Sequence, residues 1–371
     1  MKLAVNAWFA DAVTTGSGQY TRNLLQALSE VAQDVQVEWV APPATARGAT
    51  TRGDLAKVRF EQIDFPRAAR RMNADVAFVP YWGPPLQSEV PIVTTIHDVI
   101  SLALPSYRGN LKHRAYSALV RAGAGAASAI LTDSEHSKRD ILKYLPVQES
   151  NITVVPLAAE PRFQPAIPDE ALWRVQEKYA LPERYVLYLG GYDARKNIET
   201  VMQIYVWCGD PIGEDFPLVM NGAADQPATT SDGETMTLGQ MAAALEIQDV
   251  VRFIGRVDED DKPAVLAGAR VFLFPSTYEG FGLPVLEAMA CGTPVIGSNA
   301  SSIPEVVGNA AILTEPMDAR RMSGATIALC TEDDYHDRMR QRGLMQAAQF
   351  TWHRTAFETL AVLRKVADGG R

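Results

Sequence analysis

Long apolar runs are missing from this chain of 371 residues; the longest reach around seven, whereas a bilayer-spanning helix needs about 20. The opening "MKLAVNAWF" carries an apolar run too short for a signal-peptide core and reads as a first strand. Cysteine is scarce. Cys208, Cys291 and Cys330 stand in apolar surroundings without C-x-x-C spacing, which excludes a disulfide framework or a zinc site and predicts buried thiols in a reducing compartment. A cytoplasmic protein is the expectation. Positive charge is also in short supply: 35 Lys and Arg face 44 Asp and Glu, a net charge of -9. Residues 1–165 carry 17 basic against 15 acidic side chains, and the remainder 18 against 29. So acidic a second half argues against nucleic acid as a partner. No P-loop, no G-x-S-x-G and no G-x-G-x-x-G followed by an acidic residue about 20 positions on is found, which disfavours a dehydrogenase.

What the chain does have is a steady alternation of strand-like and helix-like segments. Strands are predicted at 2–6, 35–40, 57–62, 74–79, 92–96, 129–132 and 152–155, then at 185–189, 218–220, 250–253, 271–275, 295–297 and 311–313. Several are unbroken apolar runs, as in parallel strands covered on both faces. Helical 3–4 spacing lies between them, for example in "YTRNLLQAL" (20–28) and "KPAVLAGA" (262–269). The pattern predicts doubly wound α/β sheets. A proline-rich break, "VVPLAAEPRFQPAIPDEAL", divides it into two Rossmann-like domains, 1–165 and 166–351, with final helices near 333–349 and 352–366. Two stretches read as loops, "APPATARGATTRG" (41–53) and "NGAADQPATTSDGETM" (221–236). Ligands of such sheets sit at the carboxyl ends of strands, so two sheets facing each other would form a cleft lined by turns from both.

The candidate motifs fall at those strand ends. In "STYEGFGLPVLEAMACGTPVI" (276–296), Glu279 lies in a glycine turn and Glu287 in the helix that Leu283-Pro284 opens. Proline suits the first helical turn, and the free N–H groups around Gly282 and Leu283 favour an anion such as phosphate. Carboxylates flanking that site suit sugar hydroxyls, so a nucleotide sugar fits the layout. Read blandly, Glu279 is a solvated turn residue and Glu287 a first-turn carboxylate. In "YLGGYDARKN" (188–197), Arg195 and Lys196 stand beside a helix start; they oppose the helix dipole and ask for a diphosphate, or else form a solvated basic turn. Gly16-Ser17-Gly18, after the first strand, is a backbone cradle or a tight turn. His97-Asp98 closes the apolar run 92–96, as a structural histidine or a site residue. Ser134 is a helix cap, and "DEDD" (258–261) reads as acidic capping before a metal pair.

Taken together, these pieces resemble the retaining glycosyltransferases of family four, which have the two-domain GT-B fold. The resemblance rests on the E-x7-E motif "EGFGLPVLE" (279–287), "GGYDARKN", "GSGQYTRNLL", "TIHD" and "CGTPVIGS". It implies that Glu279 bonds donor-sugar hydroxyls beside the N–H groups of Phe281 and Gly282, and that Glu287 holds the ribose. Lys196 and Arg195 would contact the diphosphate, Gly16 would let the first loop approach it, and His97 would lie by the reacting centre. The last helix, about 352–371, would cross back to pack on the first domain. Many members carry an arginine where this chain has Gly191, and Arg195 is expected to substitute for it. The implied reaction moves a hexose, mannose ahead of glucose, from a GDP- or UDP-linked donor to a glycan or lipid-linked acceptor. It would proceed by a front-face route with no metal and no cofactor. Partners would include no nucleic acid, and at most peripheral contact with the inner membrane face through the moderately basic 107–123 segment. A nucleotide-sugar epimerase and a catalytically weak nucleotide-sugar binder are the alternatives.

Overall fold

Runs of buried aliphatic residues build two separate parallel sheets. The computed structural model describes residues 1–12, 15–42, 55–107 and 109–369, and it divides into a first unit, Met1–Ala158 with Thr351–Arg371, and a second, Ala159–Phe350. The first sheet contains β1 (Lys2–Asn6), β2 (Gln36–Val40), β3 (Val76–Val79), β4 (Ile92–Thr95), β5 (Ala129–Thr132) and β6 (Ile152–Val154) in the order β2-β1-β3-β4-β5-β6. Its register sets Val5 between Trp39 and Phe78, and every residue of β3, β4 and β5 is buried. In the second unit come β7 (Val186–Tyr188), β8 (Leu218–Met220), a small hairpin of β9 (Pro227–Thr229) and β10 (Thr235–Thr237), then β11 (Val251–Phe253), β12 (Val271–Phe274), β13 (Val295–Ser298) and β14 (Ile312–Thr314). Its large sheet runs β11-β8-β7-β12-β13-β14, all parallel.

Both orders reverse direction once, the first between β1 and β3 and the second between β7 and β12. At such a point the connections leave for opposite faces and a crevice opens at the carboxyl ends of the strands. In the first unit the chain leaves β1 towards Gly16–Val31 and leaves β3 towards Tyr81; in the second, the turns after β7 and β12 carry "GGYDARKN" and the E-x7-E run.

The strand expected at 57–62 does not form. Leu55–Arg59 is α-helical, Phe60–Asp64 is a π turn and Phe65–Arg71 resumes the α-helix. The apolar alternation there is brief, while Phe60, Phe65 and Ala69 follow helical spacing into the core. Pro66 has no N–H to give, and the widened turn, closed by Phe65 N–H to the Phe60 carbonyl, ends just before it. The stretch 221–236, read as loop, holds the β9–β10 hairpin instead, turned by Gly233 at φ +90; strands of three residues are too short to show a period. Of the loop at 41–53, residues 43–53 lie outside the described residues.

The last helix, Trp352–Gly369, belongs with the first unit. Its buried Thr355, Leu360 and Leu363 face that unit, Thr355 donates to the Pro156 carbonyl at 2.8 Å, and Arg364 holds Asp34 at 2.8 Å. Leu363 is 0% exposed, so Leu363→Ala should remove about 2–5 kcal/mol from the first unit. Chemical denaturation read by fluorescence checks this; an unchanged midpoint would mean that the helix does not hold the unit together.

Candidate functional site

In the second unit, the site starts from the turn between β12 and the helix Leu283–Ala290. Gly282 sits at φ +107, a conformation that side chains rarely adopt. The N–H groups of Phe281, Gly282 and Leu283 make no hydrogen bond among the described residues, and Pro284 has none to offer, so the helix presents unpaired donors with the positive end of its dipole. Three hydroxyls fix the turn. Ser301 Oγ accepts from the Glu279 N–H at 2.9 Å and donates to its carbonyl, while Ser302 Oγ donates to the carbonyls of Glu279 and Phe281 at 2.9 and 2.8 Å. Ser276 Oγ donates to Glu279 Oε1 at 2.6 Å.

Glu279 is buried, at 8% exposure. Lys196 Nζ reaches its Oε1 at 2.6 Å and Arg195 Nη1 reaches the same oxygen at 2.8 Å. Arg195 also pairs with Asp193 and donates to the Tyr278 carbonyl at 3.0 Å, so it braces the turn. Lys196 lies over the Phe274 ring, 5.0 Å from its centroid. Asn197 adopts a left-handed backbone, φ 56, and its amide donates to the carbonyls of Pro275 and Pro316 at 3.1 and 2.7 Å, which joins this turn to the ends of β12 and β14. The glycine pair is held as firmly. Asn221 accepts from Gly190 N–H at 3.0 Å and donates to its carbonyl at 2.9 Å, and a Cβ on Gly190 would stand 2.6 Å from the Tyr188 hydroxyl. A Cβ on Gly191 would meet only Asp193 Oδ2, at 3.3 Å.

Between these turns lies a pocket of about 360 Å³ whose lining includes Gly190, Gly191, Lys196, Asn221, Arg256, Lys262 and Glu287. Three cations and two carboxylates, Glu287 and the Glu259 that pairs with Lys262, thus share it. Glu287 has no hydrogen-bond or ion-pair partner among the described residues, and burial pushes its carboxyl up to about 7, with Lys262 pulling down and Glu160 and Glu259 pushing up. Among the predicted site residues, Lys196, Arg195 and Glu279 form one contact set, Glu287 and Gly191 share the pocket with Lys196, and Phe281, Gly282 and Leu283 supply the helix start.

Gly16, Gly18 and His97 belong to the first unit. Thr15 caps the helix Gly16–Val31 by accepting from Gly18 N–H at 3.2 Å. A Cβ on Gly18 would fall 2.1 Å from the Ala12 carbonyl oxygen, whereas Gly16 has open space around it; close backbone packing accounts for Gly18. His97 Nδ1 bonds Asp133 Oδ2 at 2.8 Å, its ring stands edge-on to Tyr20 at 4.6 Å, and its Nε2 is buried without a partner. Burial alone would lower the imidazole pKa, but the charge and hydrogen bond of Asp133, with Asp98, raise it above the ordinary value.

Ser134 caps its helix through Ser137 N–H at 3.0 Å. The 258–261 run does something other than cap. Asp258 and Asp261 pair with Lys178 at 2.7 Å, Glu259 with Lys262 at 2.7 Å and Asp260 with Arg162 at 3.0 Å; Asp261 makes no side-chain cap bond. Sequence reasoning missed Asp133, Asn221, Arg256, Lys262, Ser301 and Ser302. Asp133 and Asn221 immediately follow β5 and β8, and Arg256 follows β11 closely; the strand-end rule, applied to every strand, points to them.

Because the folded Glu287 takes up its proton at a higher pH than an unfolded glutamate, the folded state loses stability as pH rises from about 4.5 to about 7. Glu287→Gln removes that loss, on the order of 3 kcal/mol. The variant should therefore melt higher than the parent at pH 8, with the gap closing towards pH 5. A gap that does not change with pH would contradict the burial of this carboxyl.

Comparison with known proteins identifies the family. Residues 169–345 match the family described as glycosyl transferases group 1, and residues 14–162 match glycosyltransferase family 4. The O-antigen chain mannosyltransferase B of Escherichia coli is 34% identical over 269 residues, covering 72% of this chain and 68% of that one. Sucrose-phosphate synthase from Thermosynechococcus elongatus superposes over 100% of both chains with a TM-score of 0.75 at 20% identity. Anabaena HepE in complex with UDP and glucose does so over 100% of this chain and 99% of that one, with a TM-score of 0.67 at 14% identity. These neighbours share the GT-B fold, two α/β domains each built on a parallel sheet. Among the described residues no helix is long and apolar enough to cross a membrane. The chain belongs to glycosyltransferase family 4 and is a glycosyltransferase.

Proposed function

We propose that the protein transfers mannose from GDP-mannose to a glycan or lipid-linked acceptor with retention of anomeric configuration. The observation that carries this reading is the second-unit pocket, in which Lys196, Arg256 and Lys262 surround space for a diphosphate and Glu287 stands by to accept hydroxyls. The sugar preference is supported by the relative named as an O-antigen chain mannosyltransferase. UDP-glucose is the next donor, in keeping with the HepE complex that holds UDP and glucose.

In this scheme the diphosphate lies over the unbonded N–H groups of Phe281, Gly282 and Leu283, with Lys196 beside it. Glu287 accepts from the ribose, and Glu279, oriented by Arg195, accepts from donor-sugar hydroxyls. The scheme assigns no carboxylate among the described residues as a nucleophile, and its route is front-face. The bond from the anomeric carbon to the diphosphate oxygen breaks, the acceptor oxygen bonds on the same side, and its proton passes to the departing oxygen. Charge on the leaving group is stabilised by fixed cations and helix dipole, without a metal ion. In the first unit His97 is held by Asp133. The basic helix Leu111–Ala126, with Leu111 exposed at its start, gives peripheral contact with an anionic membrane face.

Lys196→Ala should lower turnover on the order of 10²–10³-fold, with the folded state verified by its melting curve; near-normal turnover would remove Lys196 from the scheme. GDP at 100 times its dissociation constant should stabilise the metal-free parent by about 2.7 kcal/mol. A shift with UDP alone would move the proposal to a UDP sugar, and none with either would overturn the pocket's assignment.

A further inference from the structure

Side-chain charge around the glycine turn after β7 cancels. Lys196 and Arg195 share Oε1 of Glu279, and Arg195 also pairs with Asp193 at 3.1 Å, so two cations meet two carboxylates. Arg195, expected at the diphosphate, is not among the residues that line the pocket, and Lys262, which does line it, is paired with Glu259. A diphosphate seated there therefore needs donors besides these cations, since an anion taken out of water has to be given hydrogen bonds in return.

The backbone of Gly190-Gly191-Tyr192 is arranged to give them. Its three successive carbonyls are all taken, each by a different group. The Gly190 carbonyl accepts from the Asn221 amide at 2.9 Å, that of Gly191 from the Tyr188 hydroxyl at 2.5 Å, and that of Tyr192 from the Thr229 N–H of the β9–β10 hairpin at 2.9 Å. The Gly190 N–H goes to Asn221 Oδ1 at 3.0 Å. The N–H groups of Gly191 and Tyr192 make no hydrogen bond among the described residues. Consecutive open N–H groups in a turn form an anion-binding concavity, and Gly190, Gly191 and Asn221 line the pocket.

Water could satisfy the carbonyls of a surface turn. Here a fully buried tyrosine and a fixed asparagine do so instead. Asn221 donates its own N–H to the Tyr188 carbonyl at 3.3 Å and accepts from the Tyr192 hydroxyl through its own carbonyl. The next residue, Gly222, exchanges both backbone bonds with Gly255, at 2.7 and 3.0 Å, directly before Arg256. One side chain thus carries the pairing of β7 and β8 a step past the point where their ladder ends at Tyr188 and Met220.

We propose that Asn221 and Tyr188, aided by the β9–β10 hairpin, are positioning residues for the transfer reaction: by engaging the carbonyls they hold the Gly191 and Tyr192 N–H groups as donors to the departing diphosphate. The assignment rests on the reading of this pocket as the diphosphate site.

The test is amide NMR of the full chain labelled with 15N-glycine and titrated with GDP and with UDP. Gly191→Ala identifies the Gly191 resonance. Carbonyl-labelled phenylalanine identifies Gly282, the only glycine that follows a phenylalanine in the sequence. At least one of the two nucleotides should move both resonances. Asn221→Ala and Tyr188→Phe should each shrink the Gly191 shift and weaken that nucleotide about three- to tenfold, with Gly324, in the helix Ala319–Thr331, left at its parent position; either variant alone carries the test. Movement of Gly282 without Gly191 overturns the proposal and leaves the donor scheme standing. Movement of Gly191 alone keeps the proposal and removes the helix start from the scheme, whereas no movement with either nucleotide sinks both. A Gly191 shift that the variants leave intact, or one lost only together with a displaced Gly324, overturns the role given to Asn221 and Tyr188.

Discussion

Burying a carboxylate is costly unless opposite charge and hydrogen bonds come with it, and at Glu279 they arrive from separate parts of the second unit. Lys196 and Arg195 come from the turn after β7, and Ser276 from the end of β12. Ser301, beyond β13, fixes the backbone of the same residue. Each partner is useful to Glu279 only if the others hold their positions, so the carboxylate ties together three strand ends that hydrogen bonding within the sheet alone would leave independent. Losing one partner of such a group strands the remaining charges. The E-x7-E run and the "RKN" turn are therefore one object, folded from segments about 80 residues apart.

The parallel sheet provides the setting. In both units the functional side chains gather where the strand order turns back: β7 and β12 in one, β1 and β3 in the other. Buried apolar strands cannot carry polar chemistry in their interiors, and the carboxyl ends are where the chain emerges with unpaired backbone groups and freedom to choose side chains. Asn197 and Asn221 show how that freedom is restrained again, each using its amide to bind carbonyls that the turns leave open.

Much of this was legible in the sequence because long apolar runs report burial directly. Each of the twelve strands of the two sheets falls on a predicted one, and the turn at Glu279 was read from Gly282 and Pro284. The segment 57–62 misled because two alternating apolar positions, Val58 and Phe60, cannot be told from a helix whose period a π turn and Pro66 disturb. The buried ion pair of Lys57 and Glu61 was missed for the same reason: as strand residues they would not face each other, whereas i and i+4 on a helix meet. Arg256 directly follows Gly255, which turns the chain after β11 at φ +71, but the acidic run between it and Lys262 suggested a cap. Asp133 became visible only once β4 and β5 were paired, since nothing in one sequence connects it with His97.

The neighbouring glycines differ in what they permit. Gly190 is hemmed in by the Tyr188 hydroxyl, but Gly191 takes an ordinary backbone conformation with only the Asp193 carboxylate near its missing Cβ. For the history of the fold this makes position 191 an adjustable dial on a fixed mount. A lineage can gain or lose a long cationic side chain there in a single substitution, changing its hold on phosphate while the turn, the sheet and Glu279 stay as they are.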